Sequence, residues 1–532
     1  MDSWMQSGRE LTLNAIKQGQ EWDMLVIGGG ITGAGIAREA ARQGMKVLLV
    51  EQRDYAWGTS SRSSKMVHGG LRYLAAGNFR LTSHSVKERE RLMNEAPGLV
   101  DMMPYVWPHY KGAFPPALVF NTLLGIYDFF AGKRYRQYFR KEQAQYLLPH
   151  IRTENLTGAT RFADAVTDDS RLVMRVLFEA NKDGAQVINY MRAESLLEEN
   201  NRVVGCQLHD ALSDEKYPVR AKVVVSATGA WADKFRKSLG AEGKIRPLRG
   251  SHIVVPSWRL PVSMSITLHH PDDKRALFIF PWEGMTVIGT TDLDNPELAL
   301  TEPHITQQEV DYLLRAAGSL FPSVKLNEAD VISTFAGVRP IVSSGALNPS
   351  AEKRDHSIWD DKGLITVSGG KLTTFRLIAL DVLAAAKKYL PALTSQDYGQ
   401  SIFTPIEHVP ADMQRLPKSL QRRLQGFYGQ QISTLNECAK LDGWEPVPGT
   451  LTLWAQLRHA LRHEHVQHLD DVMLRRTRLG LYLPQGGAGI AARIKEMCQQ
   501  ELSWSDERWV QEWQRYSDIW QQYYGLPLKN TK

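Results

Sequence analysis

Cysteine is scarce in this 532-residue chain. Cys206, Cys438 and Cys498 stand far apart, and none belongs to a CxxC pair. That excludes a disulfide framework and fits a reducing compartment, the cytoplasm. Long apolar runs are missing too. The nearest, from Ala117 to Gly132, is broken by Asn121 and Asp128. It falls short of the ~18–20 residues a membrane-spanning helix needs. The first 22 residues carry Arg9, Glu10, Lys17 and Glu21 and no apolar core, so no secretory signal is visible. A soluble or peripheral protein is therefore expected. No internal repeat and no long low-complexity stretch occurs. The excess of one charge sign is small, +6, which suits an anionic substrate, an anionic membrane surface or a nucleic acid without choosing among them. Hydrophobic residues at 43% and charged residues at 23% describe ordinary globular chemistry, and the length suggests two or three domains.

The first strong pattern is a strand, a glycine turn, a helix and a second strand. Asp23 to Ile27 is a short apolar run of the kind buried in parallel sheets. Gly28-Gly29-Gly30-Ile31-Thr32-Gly33 follows, then a helix from Ala34 to Gln43, then Lys46 to Val50 ending at Glu51. Gly28, Gly30 and Gly33 fit G-x-G-x-x-G. The first permits the tight turn, the second lets backbone approach a pyrophosphate, and the third allows close helix–strand packing. Free N–H groups at the helix start face phosphates. Glu51, 18 residues after Gly33, can accept from ribose hydroxyls. The unit predicts a dinucleotide but does not separate NAD from FAD.

Two later segments favour FAD. Val223 to Gly229 is a strand closing on a small-residue turn. Gly363 to Thr374 is a strand, a double glycine and a helix start. A helix N-terminus there, with Gly370, Lys371, Leu372 and Thr373, would stabilise an anionic reduced flavin. Strands are expected at Ser251 to Val255, Ala276 to Phe280 and Met285 to Gly289, in an antiparallel sheet. Helices are expected at Thr306 to Leu320, opened by a Thr306–Glu309 capping box, and at Lys371 to Leu390. Beyond about residue 390 the pattern becomes helical and rich in Trp, Gln and Arg.

Ser60-Ser61-Arg62-Ser63-Ser64-Lys65-Met66-Val67-His68-Gly69-Gly70-Leu71-Arg72-Tyr73-Leu74 resembles the signature of FAD-dependent glycerol-3-phosphate dehydrogenases, the aerobic, quinone-linked family. Gly250 to Pro256, Gly289 to Leu293, Gly337-Val338-Arg339-Pro340 and Ser368 to Arg376 agree in the family's order. His463-Glu464 through Leu474 to Arg478 resembles the family's C-terminal domain. The resemblance implies an α/β (α+β overall) fold: a Rossmann-like FAD-binding domain, a D-amino-acid-oxidase-like antiparallel-sheet substrate domain, and a C-terminal helical domain. The oxidoreductase core is placed at 1–390 and the helical domain at 391–532. Within the core, FAD-binding segments lie at about 20–110, 160–245 and 330–390, and substrate-domain segments at about 110–160 and 246–330.

The implied reaction oxidises sn-glycerol 3-phosphate to dihydroxyacetone phosphate, with hydride passing from C2 to flavin N5 and electrons to a quinone. Use of O2, or an amine or amino acid as substrate on the same fold, are the alternatives. A flavin-containing binding protein without catalysis is a third reading. Arginine suits a phosphate dianion because its fork is planar and always charged. Arg72, Arg339 and Arg354 match arginines of the family's substrate pocket, with Tyr73 beside them; by position alone, each could equally make a structural ion pair. The base should titrate near neutrality, which favours His252 first and His68 second. His68 could instead shape the FAD loop, and either histidine could be merely structural. Lys371 would favour reduced flavin, or else be a solvated residue at a helix start. Thr59, Ser60, Ser61, Ser64 and Lys65 offer hydroxyls and a cation to the FAD phosphates and ribityl chain. His68, Gly69, Gly70, Gly229 and Gly337 complete the expected FAD contacts.

Lys133 to Lys141 is basic with interleaved aromatics and suits an anionic membrane surface or a solvated loop; no nucleic-acid motif accompanies it, and no nucleic-acid partner is expected. A peripheral seat on the cytoplasmic face of the inner membrane is the localisation this would give. A homodimer is a further expectation. His459 and His463 are spaced i, i+4, with His465 and His468 nearby, yet nothing completes a convincing metal site, so no metal is expected.

Overall fold

The computed structural model describes residues 6–75, 77–295, 302–343, 355–394 and 399–528. Two sheets organise it. The first is built on the glycine-rich βαβ unit. Strand Trp22–Ile27 lies between Val47–Val50 and Lys216–Ser226, parallel to both. Leu364–Gly369 and Gln186–Ile188 extend the parallel sheet on either side. Its strands read as unbroken Val/Ile/Leu runs because both faces are covered, one by helices and the other mainly by Met191, Ala193, Val203, Cys206 and Leu208 with Ile16, leaving no polar side to alternate with. Helix Ile31–Ala41 packs on it with Asp169–Lys182 and Phe375–Ala386 as neighbours. The antiparallel meander Met191–Glu199, Arg202–Asp210 continues from strand Lys216–Ser226.

The second sheet has ten strands among the described residues. Ile245–Pro256 pairs antiparallel with both Met285–Gly289 and Ser333–Val342. Ala276–Trp282 and Ser265–His269 follow, and one parallel contact joins Ser265–His269 to Val100–Tyr110. Strand Val100–Tyr110 then pairs antiparallel with Leu156–Thr167. The antiparallel expectation therefore describes all but one junction. Val100–Tyr110 and Ser333–Val342, which fall in segments assigned above to FAD binding, hydrogen-bond in this second sheet. Its covering helix is Gln307–Leu320, started by the expected capping box: Thr306 and Glu309 satisfy each other's backbone N–H. The helix expected from Lys371 begins as a short 3-10 turn, Leu372–Thr374, and becomes α-helical only at Phe375.

The C-terminal helices straddle both sheets. Leu424, Phe427, Ile432 and Leu435 join the core that contains Leu172, Val176 and Leu383. Trp454, Leu457, Leu474 and Trp509 join the one that contains Met66, Tyr105 and Trp282. Each such buried side chain stabilises the fold by roughly 1.5–3 kcal/mol, so this region is fastened to the rest by many apolar contacts.

No helix among the described residues is long and apolar enough to cross a membrane. Helix Ala117–Ala131 is unusual nonetheless. Its two interrupting polar residues bond to the rest of the protein: Asn121 donates to Thr160 Oγ1 at 3.0 Å, and Asp128 accepts from Arg136 at 3.0 Å. Leu118 and Phe129, each 80% exposed, point outward with Val119.

Candidate active site

A cleft of about 230 Å3 opens where the two sheets meet. Gly28, Gly30, Ile31 and Thr32 form one wall, Glu51 and the Gly58–Ser60 loop another, and Thr228 to Trp231 a third; Pro340 and Gly369 to Leu372 close its far end. Gly28 has φ +117°, and a Cβ there would stand 2.6 Å from the Ala227 carbonyl oxygen. A Cβ on Gly33 would stand 1.9 Å from the Gly28 oxygen. The turn is thus closed to any side chain, which brings bare backbone to the ligand. Gly30, at the N-cap of helix Ile31–Ala41, brings no side chain of its own to the helix start. Glu51 accepts from Gly29 N at 2.7 Å and Arg53 N at 2.9 Å, and burial pushes its carboxyl upward against those two bonds. Trp231 Nε1, in the cleft wall, is buried without a hydrogen-bond partner. A cradle that a Cβ would fill, a carboxylate in the cleft wall and an orphaned donor all fit a dinucleotide.

The serine-rich loop serves several purposes. Thr59 Oγ1 donates to Val338 O at 2.5 Å, tying the loop to the second sheet. Ser60 Oγ accepts from Ile31 N at 3.0 Å. Ser61 is buried, and Ser64 Oγ lies 2.9 Å from His252 Nε2. Lys65 was offered to the cofactor phosphates. The structure turns it inward instead: it is fully buried, with Nζ 2.9 Å from Asp169. A carboxylate stands close enough to take the charge. Even so, burial lowers the Lys65 amine to about 8, and the Arg478 charge adds to that.

At the far end the second sheet supplies the other groups. His252 is buried on strand Ile245–Pro256, its ring stacked on Phe335 with centroids 4.5 Å apart. Gly289 beneath it must be glycine, since a Cβ would meet the imidazole at 2.2 Å. His252 Nδ1 has no hydrogen-bond partner. Burial, with Arg339 and Lys65 adding to it, drives this imidazole well below its usual pKa and keeps it neutral, so it does not titrate near neutrality as the sequence leads one to expect. The Arg339 guanidinium lies against Gly250, two residues from His252 on the facing strand. It donates to Asp292 at 2.9 Å, Thr291 O at 3.2 Å and Thr290 Oγ1 at 3.0 Å. Lys371 Nζ donates to Ser85 Oγ at 2.9 Å and sits 3.8 Å from the centre of the Tyr73 ring.

The remaining expected residues fall as follows. The His68 carbonyl accepts from Thr373 Oγ1 at 3.1 Å. Gly69 N donates to Asp164 at 2.9 Å, and Gly70 adjoins Tyr73 and Lys371. Gly229, Gly370 and Leu372 line the cleft. Gly337 packs against the Arg62 backbone, locking loop to sheet. Arg72 belongs to helix Leu71–Ala75; its side chain and the whole of Arg354 lie outside the described residues. His459, weighed above as a metal ligand, bonds to Thr434 and Glu464.

Trp57 and Trp231, with ring centres 5.8 Å apart in the cleft wall, were not singled out from the sequence. Neither were the partners of the C-terminal arginines. Asp54 accepts from Arg475 at 2.5 Å and from Arg476 at 2.6 and 2.7 Å. Glu464 receives Arg171 at 2.6 and 3.0 Å. The position of Trp57 just before the serine loop was the available signal for the first pair; for the second set the motif holding Glu464 and Arg475 to Arg478 was visible, but its partners Asp54 and Arg171 were not.

Fold and cleft together define a flavin-dependent oxidoreductase. Residues 23–380 match the FAD dependent oxidoreductase family, and residues 382–509 match the C-terminal domain of alpha-glycerophosphate oxidase. The chain is 33% identical over 483 residues to the aerobic glycerol-3-phosphate dehydrogenase of Staphylococcus aureus, covering 86% of each. Among solved structures, the glycerol-3-phosphate dehydrogenase from Bacillus halodurans complexed with FAD aligns over 98% of both chains, with 28% identity and a TM-score of 0.77. The L-alpha-glycerophosphate oxidase from Mycoplasma pneumoniae, with FAD bound, shares the fold at 17% identity and a TM-score of 0.57, over 73% of this chain and all of that one. This chain belongs to the FAD-dependent glycerol-3-phosphate dehydrogenase family.

Proposed function

We propose that this protein oxidises sn-glycerol 3-phosphate to dihydroxyacetone phosphate and passes the electrons to a quinone. The observation that carries the proposal is the adjacent placement of Arg339 and a neutral, buried His252 on paired strands beyond the glycine turn. Bound FAD supplies the hydride acceptor, N5. Gly28 to Gly33 and Glu51 would hold its adenosine and phosphate end, and Gly370 to Thr373 its ring end.

The substrate loses a hydride from C2 and a proton from the C2 hydroxyl, two electrons in all. His252 takes the proton: with Nε2–H directed at Ser64 Oγ, Nδ1 keeps the lone pair. A protonated His252 beside Arg339 and Lys65 is disfavoured, so it readily returns the proton afterwards. Arg339 anchors the phosphate, its orientation held by Asp292 and Thr290; Arg72, Arg354 and Tyr73 share that task. Lys371 places a positive charge near the ring end, where reduction leaves negative charge. His68 serves by its backbone, shaping the loop.

A quinone acceptor places the enzyme at a bilayer. Leu118, Val119 and Phe129 on helix Ala117–Ala131 would enter the lipid interface, with Lys133 to Lys141 on anionic head groups, at the cytoplasmic face of the inner membrane.

The test is anaerobic addition of glycerol 3-phosphate to the purified yellow holoenzyme, then of a quinone analogue or O2. Bleaching by glycerol 3-phosphate and not by glycine, with reoxidation faster by quinone, is expected. Bleaching by glycine alone would overturn the substrate; faster reoxidation by O2 would make the protein an oxidase.

A further inference from the structure

Ser64, the residue whose hydroxyl meets His252, sits between two neighbours tied to one carboxylate. Asp169 Oδ2 accepts from Ser63 N at 2.9 Å and from Ser63 Oγ at 2.7 Å. Its two oxygens accept from Lys65 Nζ at 2.9 and 3.0 Å. Arg478, from the C-terminal helical region, also donates to Asp169 Oδ1. Lys65 Nζ and Arg478 Nη1 then share the Ser61 carbonyl, at 2.7 and 3.0 Å. Asp168 completes the group: both its oxygens lie 3.3 Å from Arg478 Nε. All four charged side chains are buried, and two cations balance two carboxylates.

Backbone conformation adds an independent observation. Lys65 has φ +59° and Arg478 φ +63°. Side-chain-bearing residues rarely adopt the left-handed region, so surrounding contacts must over-determine it; such outliers concentrate where geometry matters to function. A second path leads to the same imidazole. Lys65 Nζ lies 4.8 Å from the centre of the Phe335 ring, and Phe335 stacks on His252. The cluster therefore grips both the hydroxyl at the edge of His252 and the ring beneath its face.

We propose that Asp169, Lys65 and Arg478 are positioning residues for proton transfer, through which the C-terminal helical region holds Ser64 and Phe335 against His252. The proposal rests on His252 being the base. It gives the C-terminal region a part in the chemistry although Arg478 meets the imidazole only through intermediaries. None of the three residues exchanges a proton with substrate. They limit the imidazole to one orientation, with Nε2 on Ser64 and Nδ1 open, so misalignment would slow the step while leaving substrate binding intact.

The experiment uses the holoenzyme and anaerobic stopped-flow reduction by glycerol 3-phosphate. Asp169→Asn and Arg478→Lys are each made alone and in a Ser64→Ala background. Asp169→Asn is expected to slow flavin reduction roughly tenfold, and Arg478→Lys roughly threefold, with flavin content and substrate Kd within about twofold of wild type. In the Ser64→Ala background both further effects should shrink by half or more, because only the path through Phe335 is left. Arg478→Lys keeps the charge balance, so it remains informative if Asp169→Asn fails to fold. Additive effects in the double variants, or rates that fall only in step with flavin content, would overturn the proposal. So would two controls that strike the earlier reading instead: wild-type enzyme that glycerol 3-phosphate leaves oxidised, or His252→Asn with an undiminished rate.

Discussion

At the glycine turn, bare backbone faces the cleft and side chains are excluded; at the seam between residues 54–65 and the C-terminal helices, side chains do nearly everything. The turn depends on two missing Cβ atoms, at Gly28 and Gly33. The seam depends on buried carboxylates, Asp54, Asp168, Asp169 and Glu464, set against Arg171, Arg475, Arg476, Arg478 and Lys65. Backbone chemistry is generic and steric, so it tolerates no added atom but costs little to maintain. Buried ion pairs are costly to desolvate and stable only as complete sets. One region is a template that many chains can share. The other fits only its own partners.

Four experiments would break or sharpen that contrast. The largest effect should come from Gly33→Ala, whose new Cβ would collide with the Gly28 carbonyl. The purified protein should then lack flavin absorbance; a normal absorbance ratio would show that the turn can relax. Asp54→Ala comes next. It leaves Arg475 with Asp470 and Asp471 and Arg476 with Glu464 alone, so that one buried cation loses its closest counter-charge, and should lower unfolding free energy by about 3 kcal/mol, read from the urea midpoint. A loss under about 1 kcal/mol would mean that water reaches the seam. Arg339→Ala belongs to the substrate end and should leave flavin content intact. It should cut kcat/KM roughly a hundredfold, about 3 kcal/mol of lost charged hydrogen bonding. Near-normal kcat/KM would remove Arg339 from the phosphate site.

The smallest effect is a pH dependence of stability. Burial lowers His109 and His463 to about 4, and pushes His252 and His459 down as well. Below about pH 6.5 the unfolded chain binds protons that these folded imidazoles refuse. Melting temperature should therefore fall as pH drops from 6.5 through 4, where the loss from His109 and His463 is complete. Replacing His463 by Phe should remove about one proton from that slope. An unchanged slope would show that His463 is already charged in the fold.

How far the sequence could be read follows the same division. The βαβ unit, the glycine triad, Glu51 and the Thr306–Glu309 capping box are local patterns, each decided within a few dozen residues, and each folds as read. The motif carrying His252 was legible as a motif, but its neighbours Ser64 and Phe335 lie 188 and 83 positions away in the chain. Lys65 looked like a phosphate ligand because serine-rich basic loops commonly are; it turns inward because Asp169, far along the chain, waits there. In the sequence, Asn121 and Asp128 break the apolar run from Ala117 to Gly132. In the structure they bond to Thr160 and Arg136, and they leave the outward face apolar.

The sequence by itself determined that this chain binds a dinucleotide and which family it belongs to, because strand, turn and helix patterns are short-range and carry their own steric reasons. Only the tertiary structure decided which charges are paired, which histidine is buried and neutral, and how the C-terminal helices reach the serine loop. Those depend on distances between residues hundreds of positions apart, and desolvation and Coulomb attraction act through space without regard to order along the chain.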